Sequence, residues 1–250
     1  MTARCTACGT EIIFGTLATA EERAVPICTG CSQRAPASGF WDTGSHDVIL
    51  GLDEVGWGAI AGPLMVGAVV TQKGWWWPGL RDSKKLTEPA RRRLVEQLDG
   101  KLPVHIEILH VREFERFASP EHGLLETHRR AAVRMLQHFP NALVVIDGNR
   151  PIPGVPCTPV VDADALVPAV MAASVFAKVR RDRFMRGLHR VFPAYNFATN
   201  VGYGQEAIEL MKKHGPSTPH RRHYNPLKEM LGGDRPRRRM EQLRLPFGGT

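Results

Sequence analysis

Two short apolar runs that end in carboxylates constrain this chain more than any other feature. Residues 48–52 run straight into Asp53 and Glu54, and residues 142–146 into Asp147. Runs this short and this apolar, bounded by polar or glycine-rich segments, read as strands buried on both faces of a sheet. A carboxylate placed just after such a strand lies at the edge of the sheet. Asp164 stands before a long helical pattern at residues 165–191. Carboxylates gathered from several such ends hold divalent cations through hard oxygens, and the chemistry expected of them is two-metal hydrolysis of a phosphodiester.

The elements around these runs give an α/β order. Residues 64–72 and the segment around 104–110 read as strands, and 88–98 as a helix capped by Thr87. Residues 121–138 suit a second helix, and residues 206–215 a helix stopped by Gly215. Strands come first and then alternate with helices, which predicts a mixed sheet with helices packed on it. Lys178, Arg181 and Arg186 are expected to form a basic stripe on the long helix. Trp75, Trp76 and Trp77 sit in a loop between Gly74 and Pro78, where a core role for all three is not expected. They are expected to stack on bases or to cover the N-terminal segment. Cys157 stands alone and reads as a small buried apolar residue.

The first 45 residues are different in kind. Cys5, Cys8, Cys28 and Cys31 form two C-x2-C knuckles with 19 residues between them. Two knuckles let four thiolates close a tetrahedron around one Zn2+ ion, so residues 1–35 are expected to be a structural zinc ribbon. Residues 36–45 read as a linker, 46–230 as the catalytic domain, and 231–250 as a basic tail.

Charge is uneven. The chain carries 33 Lys plus Arg against 25 Asp plus Glu. Residues 211–250 alone hold ten basic and three acidic residues, including the run Arg237, Arg238 and Arg239. That excess fits a phosphate backbone as partner. No apolar run reaches the roughly 18 residues of a membrane span. The start lacks a signal-peptide pattern, so a soluble, cytoplasmic protein is expected.

Five segments in order resemble the ribonuclease HII family. They are GLDEVGWGAIAGPLMVGAVV (51–70), LRDSKKLTEPARRRL (80–94), VVIDGN (144–149), DADALVPAVMAASVFAKVRRDRFM (162–185), and GYG (202–204) followed by HGPSTPHRRHYNPL (214–227). The resemblance implies a ribonuclease H-like mixed sheet flanked by helices. It implies an endoribonuclease that cuts 5′ of ribonucleotides in RNA–DNA hybrids, or of single ribonucleotides in duplex DNA, leaving 3′-hydroxyl and 5′-phosphate ends. Carried over by position, it assigns Asp53, Glu54, Asp147 and Asp164 to Mg2+ or Mn2+. Asp162 competes with Asp164, which keeps the family's distance to Ala177 and Lys178. Gly56, Trp57 and Gly58 match the turn that approaches the 2′-hydroxyl, and Tyr203 the residue that packs against the sugar. Ser83, Lys84, Lys85, Asn149, Ser174, Lys178, His220 and Arg221 match substrate contacts, mostly to phosphates.

The departures cluster on the substrate side. Trp57 stands where the family has an arginine, and tryptophan cannot make a charge-assisted bond to phosphate. Val201 replaces a lysine, and Gly204 to Ala207 replace the usual segment after the tyrosine. Metal chemistry with altered substrate handling is the expectation. The rival readings are a ribonuclease H-like nuclease of DNA and a non-catalytic zinc-ribbon binder of nucleic acid.

At the far end, Gln242, Leu243, Leu245 and Phe247 resemble the peptide by which bacterial repair proteins dock on the sliding clamp. Pro246 would lower the ordering entropy of such docking. A monomer that binds hybrid duplex and, through this peptide, the clamp is expected.

Overall fold

The computed structural model describes residues 2–4, 11–13, 42–117, 119–224 and 227. The four zinc-ribbon cysteines, the arginine run and the clamp-like peptide lie outside the described residues. Near the N-terminus, β1 (Thr2–Arg4) pairs antiparallel with β2 (Glu11–Ile13).

The main unit begins with β3 (Val48–Val55) and β4 (Leu64–Gln72), followed by α1 (Glu88–Leu98) and β5 (Val104–Leu109). Then come α2 (Val111–Phe114), α3 (Pro120–Leu136), β6 (Leu143–Asp147) and β7 (Thr158–Val160). They are followed by α4 (Ala163–Leu166), α5 (Pro168–Val191), α6 (Phe197–Asn200) and α7 (Gly204–His214). The sheet order is β5-β4-β3-β6-β7, with β3, β4 and β5 antiparallel and β3, β6 and β7 parallel. This is the mixed sheet read from the sequence.

Helices cover both faces because β3 and β4 are apolar on both. Leu50, Leu52, Val66 and Ala68 pack against Ala131, Ala132 and Met135 of α3. On the other face Val69 meets Met171, Ala172 and Val175 of α5, with Leu94 and Leu98 of α1. Two glycines set how closely α5 lies on the sheet. A Cβ on Gly51 would come within 2.3 Å of the backbone of Ala169, and one on Gly67 within 2.3 Å of the Ala173 carbonyl. Any larger residue there would lift the helix away from the sheet.

Two expectations change. The long helix at 165–191 is two helices, because the N–H of Pro168 is missing and Val167 takes an extended conformation between them. Within the tryptophan loop, Trp77 is not free to stack on bases. Trp77 is 7% exposed and belongs to the α1–α5 core, and Trp75 packs against the same cluster. Cys157 is half-buried against the α3-side core, and its Sγ accepts a hydrogen bond from Ile152 N at 3.2 Å. Among the described residues no helix is long and apolar enough to cross a membrane.

Candidate active site

Strand alternation decides where the first two carboxylates go. Successive residues of β3 face opposite sides of the sheet. Asp53 therefore falls on the α5 side, in line with Ile49 and Gly51, and Glu54 on the α3 side. Asp53 lies opposite Gly67 in the sheet register, and Gly67 sits beneath Ala173. The residue after Ala173 is Ser174, whose hydroxyl lies close enough to Asp53 to oppose the rise in that carboxyl's pKa. Ser174 Oγ is also 2.8 Å from Ser83 Oγ. Both serines, expected to contact phosphates, are buried in this structure.

Asp147 ends β6. Its Oδ1 accepts the Ala163 N–H at 2.8 Å, which ties the start of α4 to the strand end and brings Asp164 into the group. Asp164 is buried, whereas Asp162 is exposed in a left-handed conformation at φ 59°. The geometry favours Asp164 between the two.

These carboxylates feel one another. Burial pushes the Asp53 carboxyl well above the usual range, and Glu54, Asp147 and Asp164 add repulsion against a weaker opposing bond from Ser174. Asp147 is raised too, by burial first and then by Asp164. A protein cation answers Asp164: Lys84 Nζ lies 3.0 Å from Asp164 Oδ2, and that bond raises the lysine. Among the described residues no three acidic, His or Cys side chains already form a closed metal cage. The donor set nevertheless suits a divalent cation, being hard carboxylate oxygens with mutual repulsion for a cation to relieve. The ammonium on Asp164 marks a position where positive charge is favoured.

A residue missed in the sequence sits on the other face. His128 of α3 is 1% exposed. Its Nδ1 donates to the Leu124 carbonyl at 3.1 Å, and its Nε2 lies 3.4 Å from Glu54 Oε2. Its place in the middle of a helix gave no signal, because the contact depends on which face of β3 carries Glu54.

Beside the carboxylates runs the turn Gly56-Trp57-Gly58. Gly56 has φ +98°, and a Cβ there would fall 2.5 Å from Arg181 Nε and 2.6 Å from the Pro63 carbonyl. Arg181 is fully buried and is no part of a surface stripe. It donates to the carbonyls of Pro63, Val201 and Ala61, and its guanidinium lies 4.9 Å from the Tyr203 ring centre. Burial lowers its pKa.

Arg221 is equally buried and donates to the carbonyls of Gly62, Gly56 and Trp57. Burial, followed by repulsion from Arg181, brings it down to about 10. His220 accepts the Ser217 N–H at Nδ1, and burial lowers it to about 4. His220 and Arg221, expected to meet phosphates, are both enclosed in this structure. The Trp57 side chain packs on Leu64, Leu109 and Phe114. Lys178 pairs with Asp182 at 2.8 Å. Lys84, Lys85, Gly58 and Asn149 are exposed, and Tyr203 is half-buried.

The family model for Ribonuclease HII matches residues 50–226. The ribonuclease HII of Verminephrobacter eiseniae (strain EF01-2) is 38% identical over 205 residues, covering 81% of this chain and 96% of that protein. Among solved structures, the PCNA:RNase HII complex from Archaeoglobus fulgidus aligns with TM-score 0.58 and 23% identity, over 71% of this chain and 95% of that one. Bst-RNase HIII in complex with Mn2+ aligns with TM-score 0.57 and 19% identity, over 74% and 69% of the two chains. These two likenesses bear on the fold.

Proposed function

The chain belongs to the ribonuclease HII family and is an endoribonuclease of RNA–DNA hybrids; from that premise we propose that Asp53, Glu54, Asp147 and Asp164 hold Mg2+ or Mn2+ at its active site. The observation that carries this reading is the desolvated, mutually repelling carboxylate group at the edge of the sheet, beside the Gly56–Gly58 turn. When bound, divalent cations supply Lewis acidity for water attack and for the leaving oxygen. The chain's own residues do the positioning. Ser174, paired with Ser83, lies close to Asp53, the α4 backbone fixes Asp147, and Lys84 carries positive charge to Asp164. The Gly56–Gly58 turn and Tyr203 sense the ribose, so that cleavage falls 5′ of a ribonucleotide, including a single one embedded in DNA.

Cleavage of a duplex containing one ribonucleotide, beside an all-DNA control, tests this. Wild type should cut only the first. Asp53→Asn and Asp147→Asn should each lower cleavage on the order of a hundredfold or more, the scale for loss of one electrostatic group at a reacting centre. Near-normal turnover in either variant contradicts the assignment.

The clamp-like peptide extends the proposal. The complex of PCNA with the A. fulgidus relative supports reading Gln242, Leu243, Leu245 and Phe247 as a docking segment for a sliding clamp. Deletion of residues 242–250 should abolish clamp binding while cleavage of short duplexes persists. Unchanged clamp binding after the deletion refutes it.

A further inference from the structure

The Gly56–Gly58 turn is held from behind by residues some 165 positions later in the chain. Arg221 Nη1 donates to the Gly56 carbonyl at 2.6 Å and to the Trp57 carbonyl at 3.1 Å. The Tyr224 hydroxyl donates to that same Trp57 carbonyl at 2.6 Å. The Trp57 ring meets the Tyr224 ring edge-on, with centroids 6.3 Å apart. The next stretch is fastened to the same C-terminal segment, through Gly62 N to the Pro219 carbonyl and Arg221 N to the Ile60 carbonyl, each at 2.8 Å.

Peptide geometry turns these bonds into a statement about the front of the turn. In a trans peptide the carbonyl and the following N–H point in opposite directions. Drawing the Gly56 carbonyl inward aims the Trp57 N–H outward. Drawing the Trp57 carbonyl inward does the same for the Gly58 N–H. Among the described residues neither N–H donates to another backbone group. Gly58 is exposed, and a Cβ there would meet nothing within 4 Å. Two adjacent outward N–H groups make a concavity that favours an oxygen acceptor.

We propose that Arg221 and Tyr224 are positioning residues for ribonucleotide recognition, which hold the Trp57 and Gly58 N–H groups out toward the 2′-hydroxyl of the substrate. The inference rests on reading the turn as the ribose sensor. It also gives Trp57 a role that its side chain can perform. The indole contributes no charge to a phosphate; it seals the turn against Tyr224 and Phe114 and so keeps the two donors aimed.

The test uses the full-length protein and two duplexes that differ only in one 2′-hydroxyl. Affinity for each is measured without divalent cation, so that neither is cut, and kcat and KM are measured separately with Mg2+. Tyr224→Phe deletes one hydroxyl and keeps the ring. It should narrow the preference for the ribonucleotide duplex by about threefold to tenfold, the range of a single hydrogen bond. Its affinity for the all-DNA duplex should not move, and KM should change more than kcat. Arg221→Lys, which cannot reach both carbonyls, should narrow the preference further. A merely structural role would lower the melting temperature and leave the preference between duplexes at its wild-type value, which overturns the proposal. If Arg221→Lys fails to fold by circular dichroism, the Tyr224→Phe ratio alone decides. If wild type shows no preference between the duplexes, the ribose-sensor reading fails and the inference with it. The loss of cleavage in Asp53→Asn tests the carboxylates separately.

Discussion

Two places in this molecule bury like charges side by side, and they do so to opposite ends. At the strand edge, carboxylates crowd together, with Asp53 and Asp147 both raised by burial and by their neighbours. Behind the Gly56 turn, Arg181 and Arg221 are fully enclosed, and Arg221 is lowered by burial and by Arg181. The difference lies in what answers the charge. The arginines find six backbone carbonyls between them, together with the faces of Tyr203, Phe114 and Tyr224. The carboxylates find Ser174, the His128 ring beside Glu54, backbone N–H groups and a largely exposed ammonium. Apart from Arg221 Nη2, which has no hydrogen-bond partner among the described residues, the protein itself satisfies these guanidinium groups, and buried charge so satisfied builds structure. Buried charge left short of partners is what the proposed cation site would present.

The comparison predicts effects of opposite sign on stability when one charge is removed from each place. The larger is at the arginines. Arg181→Met keeps most of the volume but leaves the Pro63, Val201 and Ala61 carbonyls without their donor. It should lower unfolding stability by about 3 kcal/mol, the scale for buried groups left unsatisfied. A urea denaturation midpoint at the wild-type value would show that the carbonyls find other partners, and the contrast between the two places would fail.

How much of this could be read in the sequence follows from the range of each interaction. Strands, caps and the carboxylates were legible because their signals are local. Apolar runs end at Asp53 and Asp147, and Thr87 caps α1 through the Ala90 N–H. The alternation that sends Asp53 to α5 and Glu54 to α3 is also local. Their partners Ser174 and His128 are not, since they arrive on helices whose docking depends on Gly51 and Gly67.

The arginines could not be placed. Arg181, Lys178 and Arg186 look alike as basic residues on a helix, and a solvated stripe is the ordinary reading of them. What separates Arg181 is a set of carbonyls, two of them about 120 residues away, that only the folded chain brings to it. The tryptophans follow the same rule. A loop bounded by Gly74 and Pro78 reads as exposed, but the groove between α1 and α5 accepts Trp77, with its Nε1 on Gln97 at 3.3 Å.

The smaller effect is the more telling one, because it has the unusual sign. Asp53→Asn removes a charge from a group that repels itself, so in the absence of divalent cation the variant should be more stable than wild type, by about 1 kcal/mol. The direct measurement is a pair of thermal melts, wild type and Asp53→Asn, each with and without Mn2+. The account predicts that Asp53→Asn melts higher than wild type without the cation. Mn2+ then raises the wild-type melt and leaves that of the variant where it was. A variant that melts below wild type without Mn2+, or an equal Mn2+ shift in both proteins, would contradict the claim that these carboxylates form the cation site.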